Sequence, residues 1–414
     1  MLTEYYHDLL ERFLRYVQID TQSDPESTTY PTTSKQLDLL RVLKSECENL
    51  GLANVELDKY GYMTATLPSN TPKPTKTVGF IAHVDTSPEI SGAGVKPIIH
   101  KNYQGQDIVL PDRENTVIRF KDTPELAEQI GNDIVTASGT TLLGADNKSG
   151  VAAIMTAVQY LMAHPEIKHG DIRIAFTPDE EVGGGTTYFD IDKFNAYCAY
   201  TIDSSTRGML DTETFSADAI NITFEGFNTH PGDAYHMMIN AIKLAADMLA
   251  RLPKDTLSPE TTRGREGFVH PTDIKGGVDA ATVQFIIRDF VEEKLNEKKD
   301  FLLKLAQETV DAYPGSKFSY EHRVQYRNIR EVLDRFPDVV SNAAQAIRDA
   351  GLTLREESVR GGTDGSELSR KGLPTPNIFA GEHNYHSRYE WVSVQDMLKS
   401  AEVIVRLAEI WAKA

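Results

Sequence analysis

Three strongly apolar segments constrain the fold of this chain more than any other feature. They are residues 77–85 (TVGFIAHVD), 171–181 (DIRIAFTPDEE) and 196–203 (AYCAYTID), and each places apolar residues at consecutive positions. Such runs are typical of strands that are buried on both faces of a sheet. Helical patterns alternate with them, at residues 35–50 and in the apolar segment 150–163. This alternation predicts an α/β domain in which helices cover the sheet.

The pattern of hydrophobic residues changes near residue 215. Residues 218–227 (DAINITFEGF) alternate apolar and polar side chains, as a strand with one solvated face does. The segments that follow predict a two-layer α+β domain, with helices over 237–251 and 291–312 and strands over 281–290 and 316–326. The chain then returns to the α/β pattern. We therefore predict a discontinuous domain of residues 1–214 and 328–414, interrupted by an inserted domain of residues 215–327.

The charge balance and the cysteine content exclude several classes of protein. The chain has 43 Lys and Arg residues against 61 Asp and Glu residues, a net charge of −18. A surface this acidic repels phosphate backbones, so we expect no nucleic-acid partner. Only Cys47 and Cys198 occur, which excludes a disulfide framework and is consistent with a reducing cytosol. Because the N-terminal segment lacks the apolar core of a signal peptide, we expect a cytoplasmic protein without a membrane partner.

Acidic residues and histidines cluster at positions where predicted strands end. They are His83, Asp85, Glu180, Glu181, Asp203 and His386, together with Asp146 just before the apolar helix. In α/β sheets, ligands bind outside the carboxyl ends of the strands. Taken singly, these residues also have structural explanations, such as a helix N-cap for Asp146 and a solvated acidic turn for the two glutamates. His383 and Tyr385 are alternatives to His386 in the segment GEHNYHSRYEW.

Taken together, these residues point to metal chemistry. Two imidazoles and three carboxylates suit a pair of zinc ions that share one carboxylate. Two metal ions about 3.5–4 Å apart can share a water and lower its pKa. Adjacent carboxylates at a strand end point to different sides, so one glutamate can bind metal while the other acts as a base. The spare carboxylate, Glu180, can then move the proton to a leaving amine.

Nine segments of the chain, taken as a set, resemble one enzyme family. They are FIAHVDTSPE, TTLLGADNKSGVAAIMTA, IRIAFTPDEEVG, AYTIDSS, NTHPGDA, ETTRGREGF, FIIRDF, RGGTDGSELSRKGLPTPNIF and HNYHSRYEW. The family is that of the dinuclear zinc exopeptidases with an inserted lid domain, and the resemblance covers essentially the whole chain. It implies a catalytic α/β domain with a mixed sheet and a smaller two-layer α+β lid, which in some relatives is also a dimer surface.

The resemblance also implies a role for each candidate residue. One zinc ion would be bound by His83, Asp146 and Asp203, and the other by Asp146, Glu181 and His386. Asp85 would orient His83, and Glu180 would be the general base. The peptide bond between Asp146 and Asn147 would be cis.

Four further residues are implied to contact the substrate: His230, Asn240, Arg288 and Arg360. In the family a histidine such as His230 stabilises the tetrahedral oxyanion. A planar guanidinium from one of the two arginines would hold the free carboxylate of the peptide. The residues alone leave alternatives open, since His230 also suits a helix start and both arginines could pair with nearby acids.

The implied activity is removal of the N-terminal residue of tripeptides by a dizinc aminopeptidase. Because the lid is a dimer surface in some relatives, the resemblance also allows a homodimer. A dipeptidase, a carboxypeptidase or an N-acyl-amino-acid deacylase would use the same metals and base. A binding module that has lost the chemistry would lack a ligand or the base, and none of the seven central residues is missing. Ser204 and Ser205 replace two glycines that are common in the family, which leaves strict preference for tripeptides open.

Overall fold

The structure is a computed structural model and describes residues 2–413. This part of the chain contains ten α-helices: α1 Tyr6–Val17, α2 Gln36–Leu50, α3 Ala145–Ala163, α4 Ile191–Phe194, α5 Ala241–Ala250, α6 Glu292–Ala312, α7 Arg330–Leu333, α8 Pro337–Asp349, α9 Asp364–Arg370 and α10 Val394–Trp411. None of the helices between residues 2 and 413 combines the length and the apolar character that crossing a membrane requires.

Eighteen β-strands complete the secondary structure of the same residues. They are β1 Ala53–Leu57, β2 Met63–Leu67, β3 Val78–His83, β4 Ile98–His100, β5 Ile108–Val109, β6 Val117–Ile118, β7 Ile134–Thr136, β8 Ile172–Thr177, β9 Cys198–Ser204, β10 Met209–Thr214, β11 Ser216–Glu225, β12 Phe268–Gly276, β13 Ala280–Asp289, β14 Lys317–Tyr326, β15 Arg355–Val359, β16 Asn377–Phe379, β17 Glu382–His383 and β18 Trp391–Ser393. The chain divides into two compact units. The first unit comprises the chain up to Thr212, Glu331–Glu357 and the chain from Thr363, and the second comprises Glu213–Arg330 and Ser358–Gly362.

An eight-stranded mixed sheet forms the centre of the first unit, in the order β1-β2-β8-β3-β9-β16-β10-β15. Its middle strands β8, β3, β9 and β16 are parallel, whereas β1, β2 and β10 run antiparallel to their neighbours. Helices α1, α3 and α10 pack on one face, and a cluster that includes Phe189, Phe194 and Leu368 covers the other. Burial on both faces explains the consecutive apolar positions of the middle strands. The predicted mixed α/β sheet covered by helices is confirmed.

The parallel register brings the candidate residues to one edge of this sheet. His83 ends β3 and lies opposite Thr177, the last residue of β8. Asp203 is the penultimate residue of β9, the other neighbour of β3. A small second sheet in the same unit, β17-β18-β7-β4, pairs β17 with β18 on either side of the turn that carries His386. Strand pairing thus fixes the positions of His83, Asp203 and His386 and of the residues that follow β8.

The second unit is an antiparallel sheet with two helices. Its strands lie in the order β12-β13-β11-β14, and α5 and α6 pack against β11 and β13. Alternate residues of β11, Ile220, Ile222 and Phe224, are buried in the core that these helices share with the sheet. The intervening residues are partly or fully accessible, which is why the sequence of this strand alternates with period two.

Strand β12 is not predicted by the sequence pattern. It contains Pro271, and its pairing with β13 is irregular between Pro271 and Asp273. Proline cannot donate a hydrogen bond to a sheet ladder, and it is tolerated here because β12 is an edge strand of its sheet. Pairing with β13 therefore stabilises this strand, and the composition of residues 268–276 alone does not indicate a strand.

Candidate metal centre

The first group of candidate ligands lies at the ends of β3 and β9. The Nε2 atom of His83 is 2.9 Å from Oδ1 of Asp146 and 3.5 Å from Oδ1 of Asp203. His83 is almost fully buried, and its ring is fixed from behind by Asp85, whose backbone oxygen lies 3.1 Å from His83 Nδ1. The ligand atoms of the three side chains lie close enough together to bind one metal ion.

The second group combines Asp146 with two residues from other segments. The Nε2 atom of His386 is 2.7 Å from Oε2 of Glu181 and 3.3 Å from Oδ2 of Asp146. Asp146 therefore turns one carboxylate oxygen toward His83 and the other toward His386. Within each group the donor atoms lie within 4.8 Å of one another. A carboxylate that faces two histidines with its two oxygens has the arrangement needed to bridge two metal ions.

Glu180 and Glu181 do not lie on a strand, contrary to the sequence-based expectation. β8 ends at Thr177, and the two glutamates open a 3₁₀ turn, Glu180–Val182, after Asp179 in a left-handed conformation. Successive side chains of a 3₁₀ turn are about 120° apart, so the two carboxylates still diverge. Glu181 contacts His386, whereas Glu180 belongs to neither group of candidate ligands.

Asp85 fixes this turn as well as His83. It is fully buried, and its two carboxylate oxygens accept hydrogen bonds from the backbone N–H groups of Glu180 (3.0 Å) and Glu181 (3.1 Å). Its Oδ1 atom is also 3.3 Å from Nδ1 of His83. One side chain thus positions a histidine and both glutamates, which is more than the sequence indicated.

The donor set fits divalent transition-metal ions. Zinc is bound in proteins by imidazole nitrogen and carboxylate oxygen at about 2.0–2.2 Å, which in a tetrahedral site separates donors by about 3.3 Å. The separations of 2.7, 2.9, 3.3 and 3.5 Å in the two groups bracket that spacing. The residues therefore could hold two ions of this type, one in each group, with Asp146 common to both.

Electrostatics also favours bound cations at this site. Burial and the neighbouring Asp146 raise the pKa of Glu181 to about 8, and burial raises the pKa of Asp203 to about 6. Burial opposes protonation of His83, but Asp203, Asp146 and Asp85 outweigh it and raise the pKa of the imidazole well above its usual value. Several carboxylates in a poorly solvated space repel one another, and divalent cations would relieve that repulsion and displace the protons.

The structure distinguishes His386 from His383 in the same segment. The ring of His383 stacks on Trp391 at 4.2 Å, and burial lowers the pKa of His383 to about 4. Among residues 2–413, His383 belongs to neither candidate ligand group, and the ring of Tyr385 lies edge-on to that of His386, with the ring centroids 5.4 Å apart. The peptide bond between Asp146 and Asn147 is cis, as the resemblance implied.

Buried carboxylates around the centre were missed by the sequence analysis. Glu390 accepts hydrogen bonds from the backbone N–H groups that precede and include Asp146, and Glu382 accepts one from Ser149 at 2.5 Å. Asp364 accepts one from Thr177 at 2.9 Å. A signal existed for Glu390, because a charged residue inside the apolar run that contains Trp391 is buried only when it is partnered.

Two of the predicted substrate contacts, both in the second unit, have local structural roles. His230 accepts a hydrogen bond from the N–H of Gly232 through Nδ1, and its side chain is 79% exposed. Asn240 is the N-cap of α5 and accepts a hydrogen bond from the N–H of Ile242. Because His230 accepts this hydrogen bond through Nδ1, its Nε2 atom stays available, and His230 can cap the turn and contact a substrate at the same time.

The two arginines of the second unit differ in how their guanidinium groups are engaged. The guanidinium of Arg360 lies over the rings of both Phe215 and Phe268. It donates to the backbone oxygens of Gly264 (2.9 Å) and Glu266 (2.7 Å) and to Oγ1 of Thr262 (2.9 Å). Within residues 2–413, Arg288 donates only through Nη1, to the backbone oxygens of Asp218 and Ile287, and its guanidinium lies over the ring of Tyr326 at 5.4 Å. Arg288 thus keeps more free donors for a substrate than Arg360 does.

Comparisons with known proteins identify relatives along most of the chain. The family model described as Peptidase family M20/M25/M40 matches residues 121–410. "Peptidase T" of Geobacillus thermodenitrificans (strain NG80-2) is 47% identical over 404 residues, 98% of this chain and 98% of that protein.

Solved structures share the fold. The aminopeptidase PepT from Bacillus cereus ATCC 10987 has a TM-score of 0.75 at 24% identity and is matched over 98% of both chains. A tripeptidase from Staphylococcus aureus subsp. aureus Mu50 has a TM-score of 0.76 at 22% identity, over 99% of both chains. The family match over most of the chain and the near-complete alignment with a curated relative give one conclusion: this chain is a member of the M20/M25/M40 family of peptidases.

Proposed function

We propose that the chain is a zinc-dependent aminopeptidase that releases the N-terminal residue of tripeptides. The observation that carries the proposal is the pair of ligand groups joined by Asp146, with the carboxylate of Glu180 left outside both. His83, Asp146 and Asp203 would hold one zinc ion, and Asp146, Glu181 and His386 the other. When bound, the two ions would polarise the scissile carbonyl and favour ionisation of the attacking water.

Glu180 is the proposed general base. Its backbone is fixed by Asp85, and burial raises the pKa of its carboxyl group well above the usual value. A base of raised proton affinity can take a proton from the attacking water and return it to the leaving amine. Glu181 cannot take this role while its carboxylate serves as a ligand beside His386. His230 is the proposed hydrogen-bond donor to the oxyanion, through the ring edge that its cap leaves free.

The preference for short peptides is supported by the relatives. The relative from Geobacillus thermodenitrificans is named "Peptidase T", and the two solved structures are described as an aminopeptidase and a tripeptidase. A dipeptidase, a carboxypeptidase and an N-acyl-amino-acid deacylase would need the same centre and would differ in which end of the substrate they contact. These three activities are the alternatives to the proposed aminopeptidase activity.

A panel of peptides separates these activities. Tripeptides with free termini should be cleaved at the first bond, and acetylating the N-terminus should abolish cleavage. A C-terminal amide should lower kcat/KM about 10- to 100-fold, because a hydrogen-bonded charge contributes about 1.5–3 kcal/mol. Products are identified by mass spectrometry, with di- and tetrapeptides in parallel. Faster hydrolysis of acetylated substrates, or release of the C-terminal residue, would contradict the aminopeptidase assignment.

The two arginines should respond differently to substitution. Arg288→Ala should reduce the ratio of kcat/KM for the free acid over the amide toward one, because the guanidinium no longer binds the carboxylate. Arg360→Ala is the matched control: it should lower the melting temperature, since it removes the bonds to loop 262–266, and leave the ratio unchanged. Ratios are measured for both variants. An unchanged ratio in Arg288→Ala would show that this residue does not bind the carboxylate.

We also propose a cytoplasmic location. Both cysteines of the chain, Cys47 and Cys198, are buried and unpaired, which is typical of proteins from reducing compartments. Fractionation of the cells that produce the protein tests this location, and recovery of the peptidase activity outside the cytoplasm would contradict it.

A further inference from the structure

The turn that presents Asp146 is held by a carboxylate from a distant segment of the first unit. Oε2 of Glu390 accepts hydrogen bonds from the N–H groups of Leu143 and Gly144, both at 2.7 Å. Its Oε1 atom accepts a third, from the N–H of Asp146 itself, at 2.9 Å. Glu390 is only 1% exposed, so these bonds are shielded from competing water.

Glu390 also belongs to the segment that carries another candidate ligand. It lies four residues after His386, directly before β18, and His386 itself has a left-handed backbone conformation with φ of 58°. The pairing of β17 with β18 closes this segment on both sides. Because His386 and Asp146 face each other at 3.3 Å, any shift of the turn relative to the segment changes the distance between these two ligands.

A purely structural explanation accounts for only part of this arrangement. The first N–H groups of a helix lack partners, and a carboxylate at the N-terminus of α3 satisfies some of them. Capping, however, does not require the cap to come from the segment that carries a ligand of the same site. The hydrogen bond to the N–H of Asp146 also constrains the backbone from which the shared carboxylate projects.

We propose that Glu390 is a positioning residue, which sets the distance between the shared ligand Asp146 and His386 and so the affinity of the centre for its metal ions. The proposal rests on the metal assignment made above. Residues that hold metal ligands in place typically change metal affinity 10- to 100-fold when substituted. Glu390→Gln retains the size of the side chain but places an N–H₂ group against one of the three backbone donors.

The test measures Zn²⁺ affinity of the metal-free protein by competition with a chromophoric chelator. Wild type should bind two Zn²⁺ ions per chain. Glu390→Gln should bind Zn²⁺ about 10- to 100-fold more weakly, and the loss of affinity should be largest for the ion held with His386. The matched control is Asp396→Asn, in the first turn of α10. Asp396 is a fully buried carboxylate that accepts a hydrogen bond from Gln129 and forms an ion pair with Arg207, and neither partner is a candidate ligand. This control should lower the melting temperature and leave Zn²⁺ affinity unchanged.

The outcomes separate the two levels of the proposal. If wild type binds no Zn²⁺, the metal assignment itself fails. If wild type binds two ions and Glu390→Gln binds them equally well, or if Asp396→Asn loses as much affinity, Glu390 has no positioning role. Should Glu390→Gln not fold, Glu390→Asp carries the test, because it keeps the charge and shortens the reach by one methylene. Wild-type affinity in a folded Glu390→Asp would then overturn the proposal.

Discussion

Glu180→Gln is expected to lose most of its turnover while keeping both metal ions. The amide keeps the size of the side chain but removes the basic oxygen, and general acid–base catalysis typically contributes about 10²–10⁴-fold. Both metal ions should be retained, since Glu180 belongs to neither candidate ligand group. Substrate should still bind, because the amide keeps the size and hydrogen bonding of the side chain. The measurement is kcat and KM for a tripeptide beside metal content per chain from elemental analysis.

Glu181→Gln is the matched control, because it makes the same substitution one residue along the same 3₁₀ turn. Its carboxylate lies 2.7 Å from His386, and a neutral amide is a poor substitute for a carboxylate ligand. This variant should therefore lose or weaken one metal ion. If Glu180→Gln loses metal and Glu181→Gln keeps it, the two roles are exchanged; a nearly fully active Glu180→Gln would exclude it as the base.

Asp146→Ala should weaken both metal sites at once. Its two carboxylate oxygens face His83 at 2.9 Å and His386 at 3.3 Å, so removing them takes one ligand from each group. We expect fewer than two ions per chain after mild dialysis, with loss of activity in the same sample. Adding excess metal should restore activity only in part, because each remaining group has two protein ligands.

Substitutions in single groups provide the comparison for Asp146→Ala. His83→Ala and Asp203→Ala should each weaken chiefly the ion of the first group and leave the second largely occupied. Metal content is again measured per chain, on samples whose melting curves show a folded protein. Retention of both ions by Asp146→Ala, or equal losses in all three variants, would exclude a bridging role for this residue.

The sequence by itself predicted the elements whose composition is dictated by burial. β3, β8 and β9 carry apolar residues at neighbouring positions because both faces of the sheet are covered, although Arg173 interrupts the apolar run of β8. Period-two alternation in β11 reflects a single covered face. Residues at the carboxyl ends of such strands meet at one edge, which is why the candidate metal ligands could be proposed from their positions along the chain.

Elements and contacts that depend on a distant partner were not predictable in this way. β12 contains Pro271 and persists because β13 pairs with it. The diverging glutamates were expected on a strand, yet they lie on a 3₁₀ turn that Asp85 fixes through two backbone N–H groups. The inserted-domain boundaries and the substrate contacts assigned by resemblance stay predictions.

What the sequence determined was therefore the fold class, the family and the residue types available for metal chemistry, because these follow from local hydrophobic patterns and from motifs along the chain. Only the tertiary structure decided which oxygen of Asp146 faces which histidine, which arginine keeps free donors, and that Glu390 holds the turn of Asp146. The physical reason is that hydrogen bonds to backbone N–H groups and the convergence of side chains depend on distances between segments up to 247 residues apart, and no local pattern encodes those distances.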